Sequence, residues 1–268
     1  PATKSIPKEM LPVVDKPLIQ YALEEARDAG IEEFVFVTAR GKSALEDHFE
    51  HSVELEQALR ARGKDAELHS ILDFLPPPGA LSSIRQHEAL GLGHAVWCAR
   101  ALIGDEAFAV ILADDLIMAA PGCLRQMMDV YAETGGNVVA VEDVPREHTS
   151  RYGILDVVSD DGRLARAQGL VEKPTPDEAP STLSIIGRYV LQPEVFRQLD
   201  RQQRGAGGEI QLTDAMAATI PDIPFHGLRF EGRRFDCGVK AGFVIANIAF
   251  ALARPDLAPV VREALDSL

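Results

Sequence analysis

Lys8 and Glu9 lie in the segment 4–19, which Pro7, Pro12 and Pro17 punctuate. Each proline fixes its own φ and pushes the residue before it toward extended geometry. The segment is therefore expected as a stiff, non-helical loop that presents an ammonium and a carboxylate in a definite direction; ordinary solvated surface charges are the other reading. Asp114-Asp115 follow the apolar run 108–112, at the carboxyl end of a strand, where open α/β sheets bind their ligands. A carboxylate there can hold Mg2+, a hard ion that takes one or two carboxylates together with substrate phosphate oxygens. Asp114 is the favoured ligand, and Asp115 reads as a cap on the next turn. Asp236, in Phe235-Asp236-Cys237-Gly238, ends another expected strand and offers a second carboxylate able to meet Asp114 across one pocket. Glu172-Lys173-Pro174 again sets a carboxylate and an ammonium at a strand end, with Pro174 expected to hold Lys173 extended; a charged turn has the same composition.

Gly91-Leu92-Gly93 before a helix suits a phosphate-cradling turn, because helix N-termini bind anions. Two glycines also serve any tight strand-to-helix turn. His94 falls in the first turn of that helix, and Cys237 has no histidine beside it in sequence, so both read as structural.

These residues need elements to position them. Apolar spacing predicts a helix over 17–29, stopped by Gly30. The runs 34–38 and 108–112 lack polar alternation and are expected as strands buried on both faces. Residues 42–62 read as two helices, 68–75 is ambiguous, and Pro76-Pro77-Pro78-Gly79 is a break. A short strand at 81–86, a helix to about 103, a helix over 121–134 and a strand over 137–141 complete the first half. Alternation of strand and helix argues for a parallel α/β sheet with helices on both faces. After Pro145 come shorter strands at 152–158, 164–172 and 183–190, then a helix at 194–199. A glycine-rich loop at 205–208, a helix at 213–219, strands at 225–230 and 233–236, and two closing helices at 240–252 and 255–265 follow. The expected organisation is one domain, with an α/β half over 1–145, a β-rich half over 146–239 lidding it, and C-terminal helices over 240–268.

A chain of 268 residues that is 46% hydrophobic can bury a large core. Its 41 acidic against 27 basic residues give a net charge of −14, which repels nucleic acid and anionic lipid. Neither is expected as a partner. Cys98, Cys123 and Cys237 are scattered and odd in number, without the close pairs of a zinc or redox motif, and fit a reducing cytoplasm. No apolar run approaches a membrane span in length.

The blocks 4–17, Gln86 with 91–96, 110–114, Tyr152-Gly153, 171–174, 187–190, 205–215 and 236–238 occur in one order over nearly the whole chain. Together they resemble the bacterial glucose-1-phosphate uridylyltransferases, the UDP-glucose pyrophosphorylases of the sugar nucleotidyltransferases. The resemblance implies a Rossmann-like, mostly parallel sheet with a smaller sugar-binding part, and a reaction in which glucose 1-phosphate attacks the α-phosphorus of UTP. The attacking oxygen is already anionic at neutral pH, so alignment and charge neutralisation suffice, without a general base. By position in the motifs, Lys8 would steady the triphosphate, and Glu9, Gln86 and Gly91 would meet uracil and ribose. Asp114 and Asp236 would hold Mg2+. Lys173 would orient the sugar phosphate, while Glu172, with Gly153 and Gly187, would hold glucose hydroxyls. A homo-oligomer, dimer or tetramer, is also implied.

Family members begin with a strand and a Gly-Thr-Arg loop that this sequence does not contain. The expectation is therefore of further N-terminal residues in the natural protein, of a central first strand between 34–37 and 110–112 whose absence leaves those two about 10 Å apart and not hydrogen-bonded to each other, and of an inactive, marginally stable chain if 1–268 stands alone. Two competitors remain at this level: a sister pyrophosphorylase using another nucleotide or hexose, such as a thymidylyltransferase, and a non-catalytic sugar-nucleotide binding module. Retention of both Asp114 and Asp236 argues against the second.

Overall fold

The computed structural model describes residues 2–267. Its proline-rich front is not wholly extended. Lys8–Met10 forms a single 3-10 turn, in which the Met10 N–H donates to the Pro7 carbonyl (3.0 Å) and the Leu11 N–H to the Lys8 carbonyl (3.1 Å). The prolines exclude an α-helix, but Pro7 and Pro12 flank this turn and so leave its short i→i+3 bonds intact. A two-residue ladder follows, β1 (Pro12–Val13) with β2 (Lys16–Pro17).

Helix α1 (Leu18–Asp28) buries Leu18, Ala22, Leu23 and Ala26 along one stripe. Gly30, at φ +95°, lets the chain turn out of it into a region that side-chain-bearing residues avoid. Strand β3 (Phe34–Thr38) precedes α2 (Ser43–Asp47), α3 (Val53–Ala61) and α4 (Asp65–Leu72), the last making residues 68–72 of the ambiguous stretch helix, with Leu68 buried, and leaving 73–75 as turn. Strand β4 (Leu81–Arg85) then pairs parallel with β3 as a separate two-stranded sheet. Against expectation β3 is only partly buried along most of its length: it lies in a two-stranded sheet, where Phe34 and Phe36 pack on the Leu23, Phe49 and Phe74 cluster and Phe34 alone also reaches the Ala26 and Leu124 cluster.

Helices α5 (Leu92–Cys98) and α6 (Arg100–Ile103) lead to β5 (Phe108–Ile111), which is also partly exposed, and to β6 (Asp115–Met118). Then come α7 (Cys123–Thr134), β7 (Asn137–Asp143), β8 (Gly153–Asp160), β9 (Leu164–Glu172) and β10 (Leu183–Leu191). Helices α8 (Glu194–Leu199) and α9 (Leu212–Ala217), strands β11 (Phe225–Arg229) and β12 (Arg233–Asp236), and helices α10 (Lys240–Ala253) and α11 (Ala258–Asp266) close the chain.

The main sheet has the order β5-β10-β7-β11-β9-β8. The expected mixed α/β architecture is present, but most of the ladders are antiparallel. Strands β5 and β7 run in the same direction, as α/β alternation requires, yet β10 lies between them and is antiparallel to both. Parallel ladders join only β7 to β11 and β3 to β4 among the described residues. No ladder joins β3 to β5.

Strand β10 is the centre of the molecule. All nine of its residues are buried, and each of its Leu, Ile and Val side chains contributes about 1.5–3 kcal/mol by leaving water. Its one charge, Arg188, is 1% exposed and is held by Glu25 of α1 through contacts of 2.8–3.2 Å, with further donation to the carbonyls of Leu112 and Gly187. A fully buried guanidinium survives only when its donors are so satisfied.

Candidate active site

The chain leaves β5 and enters β6 through Asp114, and β12 runs antiparallel to β6 with Asp236 opposite Asp115. The Cys237 N–H donates to the Asp114 carbonyl (2.8 Å), which carries the pairing one residue further. A Cβ built on Gly238 would lie 3.0 Å from Asp236 Oδ1 and 3.3 Å from Asp114 Oδ2. The two carboxylates therefore border one small space that a larger residue at 238 would fill. Lys8 Nζ reaches Asp114 Oδ2 at 2.5 Å from the 3-10 turn. Burial lowers the affinity of the Lys8 ammonium for its proton, but the hydrogen bond and charge of Asp114, with Glu9 and Asp115 behind, outweigh it and raise its pKa. On the far side Arg151 Nη2 approaches Asp236 Oδ2 at 3.3 Å.

Asp115 does not cap a turn. Its Oδ1 accepts from Arg234 Nε (2.6 Å) and its Oδ2 from the Gly187 N–H (3.0 Å), and the Asp115 and Arg234 side chains are 13% and 9% exposed. Adjacent residues of a strand point to opposite faces, so Asp115 turns into the core as Asp114 turns toward Lys8. Gly187 thus spends its own N–H on Asp115, and its carbonyl accepts from Leu112 and Arg188.

Glu172 and Lys173 stand at the end of β9, with Lys173 Nζ 3.3 Å from Glu172 Oε1. Lys173 is not extended. It sits at φ +48° although Pro174 follows, a conformation costing on the order of 1–3 kcal/mol. The Lys173 N–H donates to the Tyr152 carbonyl (2.9 Å), continuing the β8–β9 ladder that sets Gly153 opposite Glu172. A Cβ on Gly153 would meet Thr213 Oγ1 at 2.8 Å and Glu172 Oε2 at 3.3 Å, so Gly153, Glu172 and Thr213 enclose a second small polar space.

Gln86 and Gly91 are brought together in a third place. Gln86 Nε2 donates to the Gly91 carbonyl (3.0 Å) and lies 3.0 Å from Nδ1 of buried His94. Gly91 has φ +105°, which explains the glycine, and it packs on Glu209 and Ile210. The Ile210 N–H donates to the Leu90 carbonyl (2.7 Å) and the Gly93 N–H to the Ile210 carbonyl (2.9 Å). The block 205–215 therefore braces the Gly91 turn at one end and supplies Thr213 to the Glu172 space at the other. Glu9 Oε1 pairs with Lys42 Nζ (2.7 Å), while the buried Glu9 Oε2 has no hydrogen-bond partner among the described residues.

Arg151, Lys42, Arg234 and Thr213 were not singled out from sequence. Lys42 follows the carboxyl end of β3, and Arg151 immediately precedes Tyr152-Gly153, so strand ends and motif edges were the available signals. Cys237 is buried and its thiol is pushed up to about 12 by burial, then by the Asp236 and Asp114 charges, as expected of a structural cysteine. His94 lies in the first turn of α5.

The two carboxylates fit a divalent cation on chemical grounds: they are hard oxygen donors, they flank one space, and a glycine keeps it open. No group of three or more His, Cys, Asp or Glu among the described residues forms a closed metal cage. Such a site leaves most of the coordination sphere to phosphate oxygens and water.

The profile of the family described as Nucleotidyl transferase matches residues 1–232. A UTP--glucose-1-phosphate uridylyltransferase of Komagataeibacter xylinus is 55% identical over 240 residues, which is 90% of this chain and 84% of the relative. Its counterpart of the same name in Bacillus subtilis is 49% identical over 96% of this chain and 88% of its own length. Among solved structures, a UTP-bound UGPase from Acinetobacter baumannii superimposes with a TM-score of 0.91 at 38% identity, over 100% of this chain and 94% of that one. A UDP-glucose pyrophosphorylase complexed with UDP-glucose gives 0.83 at 41% identity, over 95% and 94%. The chain belongs to the nucleotidyl transferase family, among the UTP--glucose-1-phosphate uridylyltransferases.

Proposed function

We propose that this protein joins glucose 1-phosphate to UTP, releasing pyrophosphate and forming UDP-glucose. The observation that carries the reading is the convergence of Lys8, Asp114 and Asp236 around the space at Gly238. Its relatives are uridylyltransferases by name over most of their length, which agrees with that chemistry.

Lys8 would release Asp114 and turn to the triphosphate, then hold the charge that gathers on the departing pyrophosphate. Asp114 and Asp236 would hold Mg2+. When bound, the ion neutralises phosphate charge and fixes phosphate oxygens for in-line attack. Lys173, whose backbone is pinned by the Tyr152 carbonyl, would orient the sugar phosphate so that its oxygen faces the α-phosphorus. Glu172 with Gly153 and Thr213 borders a space suited to sugar hydroxyls; Gly187 would join it as the motif implies, although its N–H is bonded to Asp115. Glu9, Gln86 and Gly91 would meet base and ribose; the buried Glu9 Oε2 is a spare acceptor for a ribose hydroxyl or a base N–H.

The test is pyrophosphate release by the purified natural-length protein, including any residues that precede position 1, with glucose 1-phosphate and each nucleoside triphosphate in turn. UTP is expected to be the preferred donor and thymidine triphosphate the nearest competitor, because the two bases share a hydrogen-bonding edge. A site that pairs polar base edges rejects a mismatched base by several kcal/mol. Equal turnover of ATP and UTP would overturn the assignment.

No helix among the described residues is long and apolar enough to cross a membrane. The three cysteines are all unpaired thiols, which supports a reducing compartment such as the cytoplasm.

A further inference from the structure

Arg151 closes the 3-10 segment Arg146–Arg151 just ahead of β8. Its neighbours along the chain belong to the sugar side: the Tyr152 carbonyl takes the Lys173 N–H, and Gly153 lines the space beside Glu172. Its side chain nevertheless reaches the other side, to Asp236, one of the two carboxylates at Gly238. Arg151 thus spans the gap between the place suited to the sugar and the place suited to the triphosphate. The two phosphates that react must meet in that gap.

Its guanidinium lies loosely over the Tyr152 ring, 5.5 Å from the centroid, and its contact with Asp236 is easily broken. It is one approach of 3.3 Å by a side chain that is 48% exposed, and exposed ion pairs of this kind contribute little to stability. Arg234, the other guanidinium nearby, contrasts with it in being buried and committed to Asp115 and Glu142. A guanidinium keeps its charge at any working pH and carries a planar fork of donors that matches phosphate. Asp236 Oδ1 already accepts from the Gly238 N–H (3.0 Å), so a cation drawing on Asp236 Oδ2 would compete with Arg151 for that oxygen.

We infer that Arg151 is a transferable counter-cation, which neutralises Asp236 in the empty site and passes to the phosphate of the sugar phosphate when substrates and metal load. The inference rests on the proposed uridylyl transfer for the identity of that phosphate. No covalent step is involved, and Arg151 keeps all its protons throughout. It would share the sugar phosphate with Lys173, approaching from the Asp236 side.

Two measurements test it, on wild type, R151Q and R151K. In steady-state pyrophosphate release, R151Q is expected to raise the KM for glucose 1-phosphate about tenfold or more, the scale of losing a charged hydrogen bond. The KM for UTP should move far less, and R151K, which keeps the charge but not the fork, should fall between. In the second measurement Mn2+ is titrated into substrate-free protein and bound metal is read by electron paramagnetic resonance. R151Q is expected to bind Mn2+ roughly threefold more tightly, because a competing exposed ion pair has been removed. A KM effect confined to UTP, no KM effect, or Mn2+ affinity that is unchanged or weaker would each overturn the proposal. Wild type that releases no pyrophosphate from UTP and glucose 1-phosphate would instead remove the reaction assigned above, and with it the phosphate that Arg151 is said to receive; the Mn2+ arm judges its hold on Asp236 separately. Arg151 is half exposed, so both variants should keep the wild-type melting temperature, and R151K serves if R151Q does not.

Discussion

Asp114, Asp115 and Asp236 are chemically identical side chains held within a few residues of one ladder, and their surroundings give them different work. Asp114 and Asp236 face the space at Gly238 with the half-exposed cations Lys8 and Arg151 beside them. Asp115 is closed into the core on Arg234 and the Gly187 N–H, and burial raises its carboxyl pKa against the pull of Arg234. Asp114→Asn and Asp236→Asn are expected to cut turnover by ~100-fold or more and to weaken dependence on added Mg2+, the scale of removing a principal electrostatic group. Their melting curves should stay near wild type. Asp115→Asn should do the reverse, costing about 2–3 kcal/mol of unfolding free energy by leaving Arg234 underpaired, with a smaller effect on turnover per folded molecule. Steady-state kinetics and urea denaturation on the same three variants separate the two behaviours. If Asp115→Asn proved the worst of the three in turnover per folded molecule, the division of roles would be wrong.

Among the elements, α5 and α9 show how a motif can matter by holding another. The turn before α5 is made by Gly91, which needs positive φ, and by Gly93, which needs contact: a Cβ there would lie 2.7 Å from the Ile210 carbonyl oxygen. Because the Gly93 N–H donates to that same carbonyl, the two segments cannot separate without losing the bond. Gly93→Ala should therefore push residues 209–211 away and destabilise the fold by about 1–3 kcal/mol, the usual cost of overpacking. Loosening the Gln86–Gly91 turn should also weaken UTP binding more than binding of glucose 1-phosphate. Calorimetric titration with each substrate would check this. Unchanged UTP affinity in a folded Gly93→Ala protein would show that the turn does not serve the nucleotide.

Across the whole molecule, the Arg188–Glu25 pair ties the first helix to the central strand and both to the start of α7, since Glu25 Oε1 also accepts from the Leu124 N–H (3.0 Å). It is the charged link between segments 163 residues apart in the chain. Removing one partner should be worse than removing both. Arg188→Met alone is expected to cost about 3–5 kcal/mol because Glu25 remains buried and unpaired. In the Glu25→Gln/Arg188→Met double variant much of that loss should return, and the coupling would be read from a double-mutant cycle in urea. Additive effects would mean that the pair does not couple the two segments.

Residue types, motif order and most elements were legible in the sequence because they depend on local physics. Proline placement marked the front segment, helical spacing marked α1 and α7, and β9, α8 and β12 have the bounds the pattern implied. Asp114, Glu172, Lys173 and Asp236 were legible as charges at expected strand ends and Lys8 as a charge in the proline-punctuated segment, but only the motif resemblance turned them into a set. Tertiary structure alone decided what is adjacent to what. The sequence reads as parallel alternation in its first half, and β5 and β7 do run in one direction; only the fold inserts β10 between them, since a strand from far along the chain brings the apolar surface that their shared faces require. The same holds at the site. Nothing local turns Asp115 into the core onto Arg234, points Arg151 at Asp236, or sets Lys173 at positive φ before a proline. Those outcomes depend on which face of a strand meets the core and on contacts between residues far apart in sequence, and neither is encoded in any single window of the chain.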